Sequence, residues 1–181
     1  PVLNEEKILA QSIQALQAYM TQHSRYRFFI TIADNGSTDA TREIAKQLSA
    51  TYQNVELLEI PQRGRGRALK QAWYQSHADI VSYMDVDLST DLADFLPMVE
   101  PLIRGSAGIG IGSRLARNAH TTRGLKRDTI SRIYNKIIKL SAHTKFSDAQ
   151  CGFKALRKDV ANALLPTVSD NEWFFDTELL T

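Results

Sequence analysis

Two carboxylates one residue apart, Asp85 and Asp87, close an apolar run from Ile80 to Met84. Paired hard oxygen ligands of this kind suit Mg²⁺ or Mn²⁺, with phosphate oxygens and water completing the shell. Side chains at i and i+2 of an extended segment point the same way, so the pair can converge where a strand ends. Open α/β sheets take their ligands at that end. Asp is equally common as a turn former or helix cap, and the spacing alone does not choose between these uses. A calcium EF-hand loop starting at Asp85 is excluded, because Thr90 stands at its glycine position and Leu96 at its last ligand position.

A second chemistry-bearing stretch is the basic, glycine-rich run Gln62-Arg-Gly-Arg-Gly-Arg-Ala-Leu-Lys70, which opens a helix. A third is Asp34-Asn-Gly36-Ser-Thr-Asp39, where Gly36 permits a tight turn and Ser37 or Thr38 can cap the helix that runs to about Ser49. The elements around these stretches follow from periodicity. Ile8, Leu9, Ile13, Leu16, Tyr19 and Met20 recur at helical spacing, with Asn4 as N-cap and Glu5 and Glu6 at the positive end of the dipole. Strands are expected over 27–33, 55–60, 80–84, 107–113 and 150–156. Further helices are expected over 92–103, kinked or divided at Pro97, over 125–142, and over 159–165. Alternation of this kind predicts an α/β domain, with a mainly parallel central sheet and helices on both faces. The segment at Pro1 reads as the end of a strand whose earlier part is missing.

The 181 residues suit one domain, 43% hydrophobic and 23% charged. One cysteine, Cys151, permits no internal disulfide, and no apolar run is long enough to span a bilayer. The net charge of +2 conceals a division: residues 114–145 carry nine Lys/Arg against one Asp, and the remainder 13 against 19 acids. A basic segment on an acidic body predicts an anionic partner for that segment. Gly64-x-Gly66 lacks a third glycine, and Gly108-x-Gly110-x-Gly112 lies inside an expected strand, so neither is a convincing dinucleotide fingerprint. No P-loop, zinc-spaced Cys/His cluster or Gly-x-Ser-x-Gly elbow is present, and His23, His77, His120 and His143 are scattered.

The order of the pieces is more specific than any piece. Pro1-x-x-Asn4-Glu5-Glu6, Asp34-x-Gly36-Ser37-Thr38-Asp39, Gly64-Arg-Gly66 and Asp85-x-Asp87, in that succession, resemble the family 2 glycosyltransferases of GT-A fold. Gly112-Ser113-Arg114, Leu125-Lys126-Arg127, Asp148-Ala-Gln-Cys-Gly-Phe-Lys154 and Trp173-Phe-Phe-Asp176-Thr-Glu178-Leu-Leu resemble the polyprenyl-phosphate branch. That branch holds dolichyl-phosphate glucosyltransferases and mannose synthases, and Gln150-Cys-Gly-Phe-Lys154 looks closest to the glucosyl members. Two departures stand out. Asn35 replaces the second carboxylate of the Asp-Asp-Gly-Ser form, and Ser89 stands where mannose synthases commonly have Gln.

The resemblance implies a single catalytic domain over 1–181, an inverting hexosyltransferase that uses Mg²⁺ or Mn²⁺ and a nucleotide-diphosphate sugar, UDP-glucose favoured. It implies that Pro1, Asn4, Glu5, Glu6, Asp34 and Gly36 hold base and ribose, with Val86 between the two acids. Asp85 would lie near ribose and metal, Asp87 would bind the metal, and Arg65 or Arg67 would approach the donor phosphates. Arg114 and Arg127 are the candidates for a polyprenyl-phosphate acceptor, since guanidinium matches phosphate in bidentate fashion. Asp148 falls near the site without an assigned role. A phosphate monoester is largely ionised near neutral pH, so such an acceptor needs no strong base. On the expected helix over 125–142, Arg132, Lys136 and Lys139 face away from the apolar side, toward a membrane surface. The expected location is therefore cytoplasmic, peripheral to or anchored at a membrane, where downstream segments absent from this sequence can span. The alternatives are a GDP-mannose donor, a sugar-hydroxyl acceptor, or an anion- or nucleic-acid-binding module. Nucleic acid is disfavoured by the acidic remainder and the lack of a basic stripe interleaved with aromatics.

Overall fold

In this computed structural model, residues 1–112 and 151–181 are described. Helix α1 spans Leu9–His23, strand β1 Ile30–Asp34, helix α2 Thr41–Thr51 and strand β2 Val55–Glu59. Strands β1 and β2 pair in parallel, from Ile30 opposite Val55 to Asp34 opposite Glu59. A parallel bridge joins Val2 to Asp34 on the other side of β1. β1 is thus covered at both edges, and four of its five residues are buried, which is why Ile-Thr-Ile-Ala reads as a continuous apolar run. It starts at Ile30, later than the expected residue 27. Leu9 and Ile13 of α1 and Ala45 and Leu48 of α2 pack with Ile30, Ile32 and Val55 into one core cluster.

Helix α3 spans Arg65–Gln75, β3 Ile80–Met84, α4 Phe95–Ile103, β4 Ile109–Ile111, β5 Phe153–Arg157, α5 Lys158–Leu164 and α6 Phe175–Glu178. Among the described residues these strands form a second sheet, in the order β3-β5-β4 and antiparallel at both pairings, so β5 runs opposite to β3 and β4. Trp73 of α3, Val81 and Tyr83 of β3, Leu156 of β5, Ala161 of α5 and Phe175 of α6 form the second core cluster.

Two local expectations are corrected. Pro97 does not divide the 92–103 helix. The segment begins as a 3₁₀ turn, Leu92–Asp94, capped by the Asp91 side chain, and Pro97 sits in the first turn of α4, where no intrahelical N–H is needed. The proline inside the helix is Pro101. Asn4 is not the cap of α1, whose N-cap is Ile8 with no side-chain bond. The expected helix over 125–142 lies outside the described residues.

Candidate active site

Asn4 has left-handed backbone (φ 56) and faces the loop after β1. Its Oδ1 accepts from the Thr38 N–H at 2.8 Å, and its own N–H donates to Ser37 Oγ at 3.0 Å. The next two residues continue the stitch. Glu5 N–H donates to Thr41 Oγ1 at 2.7 Å, and Glu6 Oε2 accepts from the Ala40 N–H at 3.0 Å. Asp39 Oδ1 accepts from the Thr41 N–H at 3.0 Å. The N-cap of α2 is Ala40, not Ser37 or Thr38, and it makes no side-chain cap bond; Asp39 and Glu6 instead take up the N–H groups of Thr41 and Ala40. Gly36 has φ 78, and a Cβ there would stand 3.1 Å from the Pro61 carbonyl. The resemblance assigns Asp34 to base and ribose. In the structure its carboxylate is wholly buried and accepts from the Ser37 N–H and Arg42 Nε, each at 3.3 Å, so it holds the loop's shape. Asn35 Oδ1 is buried and has no partner among the described residues.

At the end of β3 the chain leaves the extended form at once. The Leu88 N–H donates to the Asp85 carbonyl at 3.1 Å, closing a turn, and Leu88 has φ 47. The i, i+2 alternation expected of Asp85 and Asp87 therefore does not hold, because the turn interrupts the pleat. Val86, between them, packs toward the Leu9 core cluster. Asp87 is exposed and accepts from the Ser89 N–H at 3.0 Å. Asp85 accepts from Arg65 Nη1 at 2.8 Å, and the Asp85 N–H donates to the Gly152 carbonyl. A Cβ on Gly152 would overlap the Asp85 carboxylate. Pro1 precedes Val2, which bridges to Asp34 of β1.

Only one of the two candidate arginines reaches this point. Arg67 donates to Gln62 Oε1 at 2.9 Å and the Arg63 carbonyl at 3.2 Å, inside its own loop. The flanking glycines serve the incoming C-terminal segment. A Cβ on Gly64 would stand 2.5 Å from the Asn171 carbonyl oxygen, and one on Gly66 would stand 2.7 Å from Phe175 Cβ. The Arg67 N–H donates to the Asn171 carbonyl at 3.0 Å.

Arg65 rests on a buried polar cluster that the motifs did not single out as a site. Its guanidinium lies 5.2 Å from the Tyr83 ring centre and 5.0 Å from that of Trp173. Its Nε is 3.8 Å from Asp176 Oδ2, an ion-pair distance too long for a hydrogen bond. The other Asp176 oxygen accepts from Tyr83 Oη and from Lys154 Nζ, the latter at 2.9 Å. Lys154 Nζ also donates to the Cys151 carbonyl at 2.7 Å. Lys154 is wholly buried, and desolvation lowers its pKa despite the opposing pull of Asp176. Desolvation also pushes the Tyr83 hydroxyl well above its ordinary range, with Asp176 adding to it. For Arg65, burial works against the charge, but Asp85, Tyr83 and Asp176 more than offset it, and its pKa rises.

The carboxylate oxygens of Asp85 and Asp87 are hard donors of the kind Mg²⁺ or Mn²⁺ takes. Glu5 has its pKa raised by partial burial and then by the charges of Asp87 and Asp39, so negative potential accumulates beside Asp87. Among the described residues no three acidic, His or Cys side chains gather into a preformed cage.

The family model for glycosyl transferase family 2 matches residues 1–165. The chain belongs to that family. It is 33% identical over 185 residues to glycosyltransferase AglD of Haloferax volcanii, covering 99% of this chain and 29% of the relative. It is 29% identical to a dolichyl-phosphate beta-glucosyltransferase of Drosophila melanogaster and 24% identical to the Homo sapiens protein of that name, covering 99% of this chain and 60% of each relative. The chain thus spans three-fifths or less of these relatives. Glucosyl-3-phosphoglycerate synthase of Mycobacterium tuberculosis, solved with Mn²⁺, UDP-glucose and phosphoglyceric acid, superposes with a TM-score of 0.72 at 20% identity. That likeness covers 99% of this chain and 61% of the synthase, and it establishes the GT-A fold.

Measured against the family 2 motifs, the described residues join Arg65 to Asp85 directly and Asn4, Glu5 and Glu6 to the loop over 37–41. Arg114, Arg127 and Asp148 lie outside the described residues, as do Ser113 and Gln150. Sequence reasoning places Lys154 and Asp176 within motifs but gives them no part in the site. A usable signal is present: Lys154 interrupts the run Phe153-Lys-Ala-Leu, where a charge is tolerated only with a buried partner. Among the described residues no helix is long and apolar enough to cross a membrane.

Proposed function

We propose that this family 2 domain transfers a hexose from a nucleotide-diphosphate sugar to a polyprenyl phosphate, inverting the anomeric centre, with UDP-glucose as the favoured donor. The observation that carries the reading is the Arg65–Asp85 pair where β3 ends, beside the Asp87 turn and the Asn4–Asp39 loop system. A strand's carboxyl end flanked by rigid loops is where an α/β sheet accepts a nucleotide. Asp87, exposed and in a field of neighbouring acids, is the direct ligand for Mg²⁺ or Mn²⁺, and Asp85 supports metal and ribose. The bound ion supplies charge neutralisation to the departing nucleoside diphosphate. Arg65 provides positive charge on the diphosphate side, held by its aromatic neighbours. The loops at Pro1–Glu6 and Asp34–Asp39, with Gly36 and Val86, shape the base and ribose side. Arg114 and Arg127 bind the acceptor phosphate, and Asp148 belongs to the same motif set by its sequence position.

The glucosyl donor and the lipid acceptor draw support from the relatives' names and from Gln150-Cys-Gly-Phe-Lys154. The basic stretch over 114–145 supports peripheral binding at a cytoplasmic membrane face. The test is a donor screen, UDP-glucose against GDP-mannose, with a short water-soluble polyprenyl phosphate and Mn²⁺, on the parent and on Asp87→Asn. Transfer from UDP-glucose by the parent and its loss in a folded Asp87→Asn protein are expected. Tighter binding of GDP than UDP overturns the donor assignment, and undiminished turnover in Asp87→Asn overturns the metal assignment. Replacing Arg132, Lys136 and Lys139 by Gln should weaken binding to anionic liposomes while sparing transfer to the soluble acceptor. Equal liposome binding removes the membrane reading.

A further inference from the structure

Asp176 is 4% exposed and presents one oxygen to each of two tasks. Its Oδ1 is taken by Lys154 Nζ and Tyr83 Oη, both of which also reach the Cys151 carbonyl. Its Oδ2 is left facing Arg65 Nε at 3.8 Å. Among the described residues no other acid pairs with Arg65 on that side, and at its far end Nη1 donates to Asp85 at 2.8 Å. The guanidinium is thus hydrogen-bonded to Asp85 at one end, charge-paired but not hydrogen-bonded to Asp176 at the other, where its buried Nε has no hydrogen-bond partner among the described residues, and flanked by Tyr83 and Trp173. A buried Lys–Asp pair does not by itself stabilise a fold more than apolar side chains of the same volume. Nor does Lys154 need Asp176 only for neutrality, since an apolar residue at 154 would remove the need. What the pair adds is a negative oxygen at a fixed place behind Arg65. Without it, the like charges of Arg65 and Lys154 would have no carboxylate between them.

We infer that Asp176 is a positioning residue, which acts through Arg65 to aim that side chain at Asp85 and at the diphosphate of a bound donor. The inference rests on the proposed donor site and adds the element that orients it. The single change Asp176→Asn strands the Lys154 charge in the core, so the discriminating variant is the pair Asp176→Asn with Lys154→Met. It is neutral, keeps an acceptor for Tyr83 and retains the volume of the lysine stem. UDP binding is measured by calorimetry with Mn²⁺ on the full-length protein, in the parent and in an Arg65→Ala background, beside thermal melts. The pair variant is expected to melt near the parent and to bind UDP about tenfold or more weakly, the scale of one charge-assisted hydrogen bond. In the Arg65→Ala background the same pair is expected to cost nothing further, because residues that act through one another are non-additive. Parent-like affinity in the pair variant, or an equal loss with and without Arg65, overturns the positioning role while leaving the donor site standing. A parent that binds no UDP overturns both.

Discussion

Around Asn4 and Asp39 two loops are joined by backbone amides meeting hydroxyls, an amide and a carboxylate, half of them exposed and the others only partly buried. Around Asp176 the C-terminal segment is joined to β3, β5 and α3 through charges and a phenol removed from water. Both regions immobilise chain beside the Asp85 turn, by different physics. Exposed bonds exchange protein partners for water partners, so each contributes little and several are needed. Buried charges have no such substitute, so each is costly to orphan. The first region should degrade gradually under substitution and the second should fail abruptly.

The largest effect is expected at Asp176. Asp176→Asn leaves Lys154 charged at zero exposure, and breaking a buried pair from one side costs about 3–5 kcal/mol. Denaturant unfolding reads this directly. A loss below about 1 kcal/mol, the scale of an exposed hydrogen bond, would erase the contrast between the two regions. Next is Gly66→Ala, where the added methyl meets Phe175 Cβ at 2.7 Å and the Asn171 backbone at 3.0 Å. Neither is the flexible end of a side chain, so α3 and the C-terminal segment must separate, at about 1–3 kcal/mol. A parent-like melt would show that the junction is looser than its spacing.

The buried phenol gives a pH test. Burial beside Asp176 raises the folded pKa of Tyr83 well above its ordinary value of 10.0. Above about pH 10 the unfolded chain therefore loses this proton while the folded chain keeps it. The folded state then binds more protons, and stability falls as pH rises. The contribution is intact below about pH 10 and disappears upward from there. Melting temperatures should drop in that range, and Tyr83→Phe should flatten the drop. An unchanged alkaline slope in Tyr83→Phe would assign the effect to other groups.

The legible and illegible parts of the sequence divide along the same line. β1 and β3 are readable because burial forces apolar runs, and Asp85 is readable because it ends one. Arg65 and Arg67 are indistinguishable as letters. They sit two positions apart at the start of α3, and only the approach of β3 and Trp173 decides which one meets Asp85. Lys154, a charge inside an apolar run, signals a buried partner without naming it, and only the fold brings Asp176, distant in sequence, within 2.9 Å. Asn4 carries the local signature of a cap before an apolar period, and the capping potential is real. The loop after β1 claims it, because a tertiary partner stands closer than the helix's own first turn.

The smallest effect is expected at that same Asn4, where two contributions can be separated. Its side chain accepts exposed hydrogen bonds from the Thr38 N–H and, at 3.4 Å, the Thr38 hydroxyl, the first contributing about 1 kcal/mol. Its backbone, at φ 56, lies where Asn is tolerated and alanine is strained by about 1–2 kcal/mol. Asn4→Gly loses the first contribution and not the second, while Asn4→Ala loses both. Glycine should therefore be the milder change, by about the strain of one left-handed residue. The remaining stitches, Glu5 to Thr41 and Glu6 to Ala40, should keep both variants folded. Equal losses would show that the loop relaxes to ordinary backbone at no cost. A loss near that of Asp176→Asn would show that these surface bonds act as one unit, and the gradual failure expected of this region would not be its behaviour.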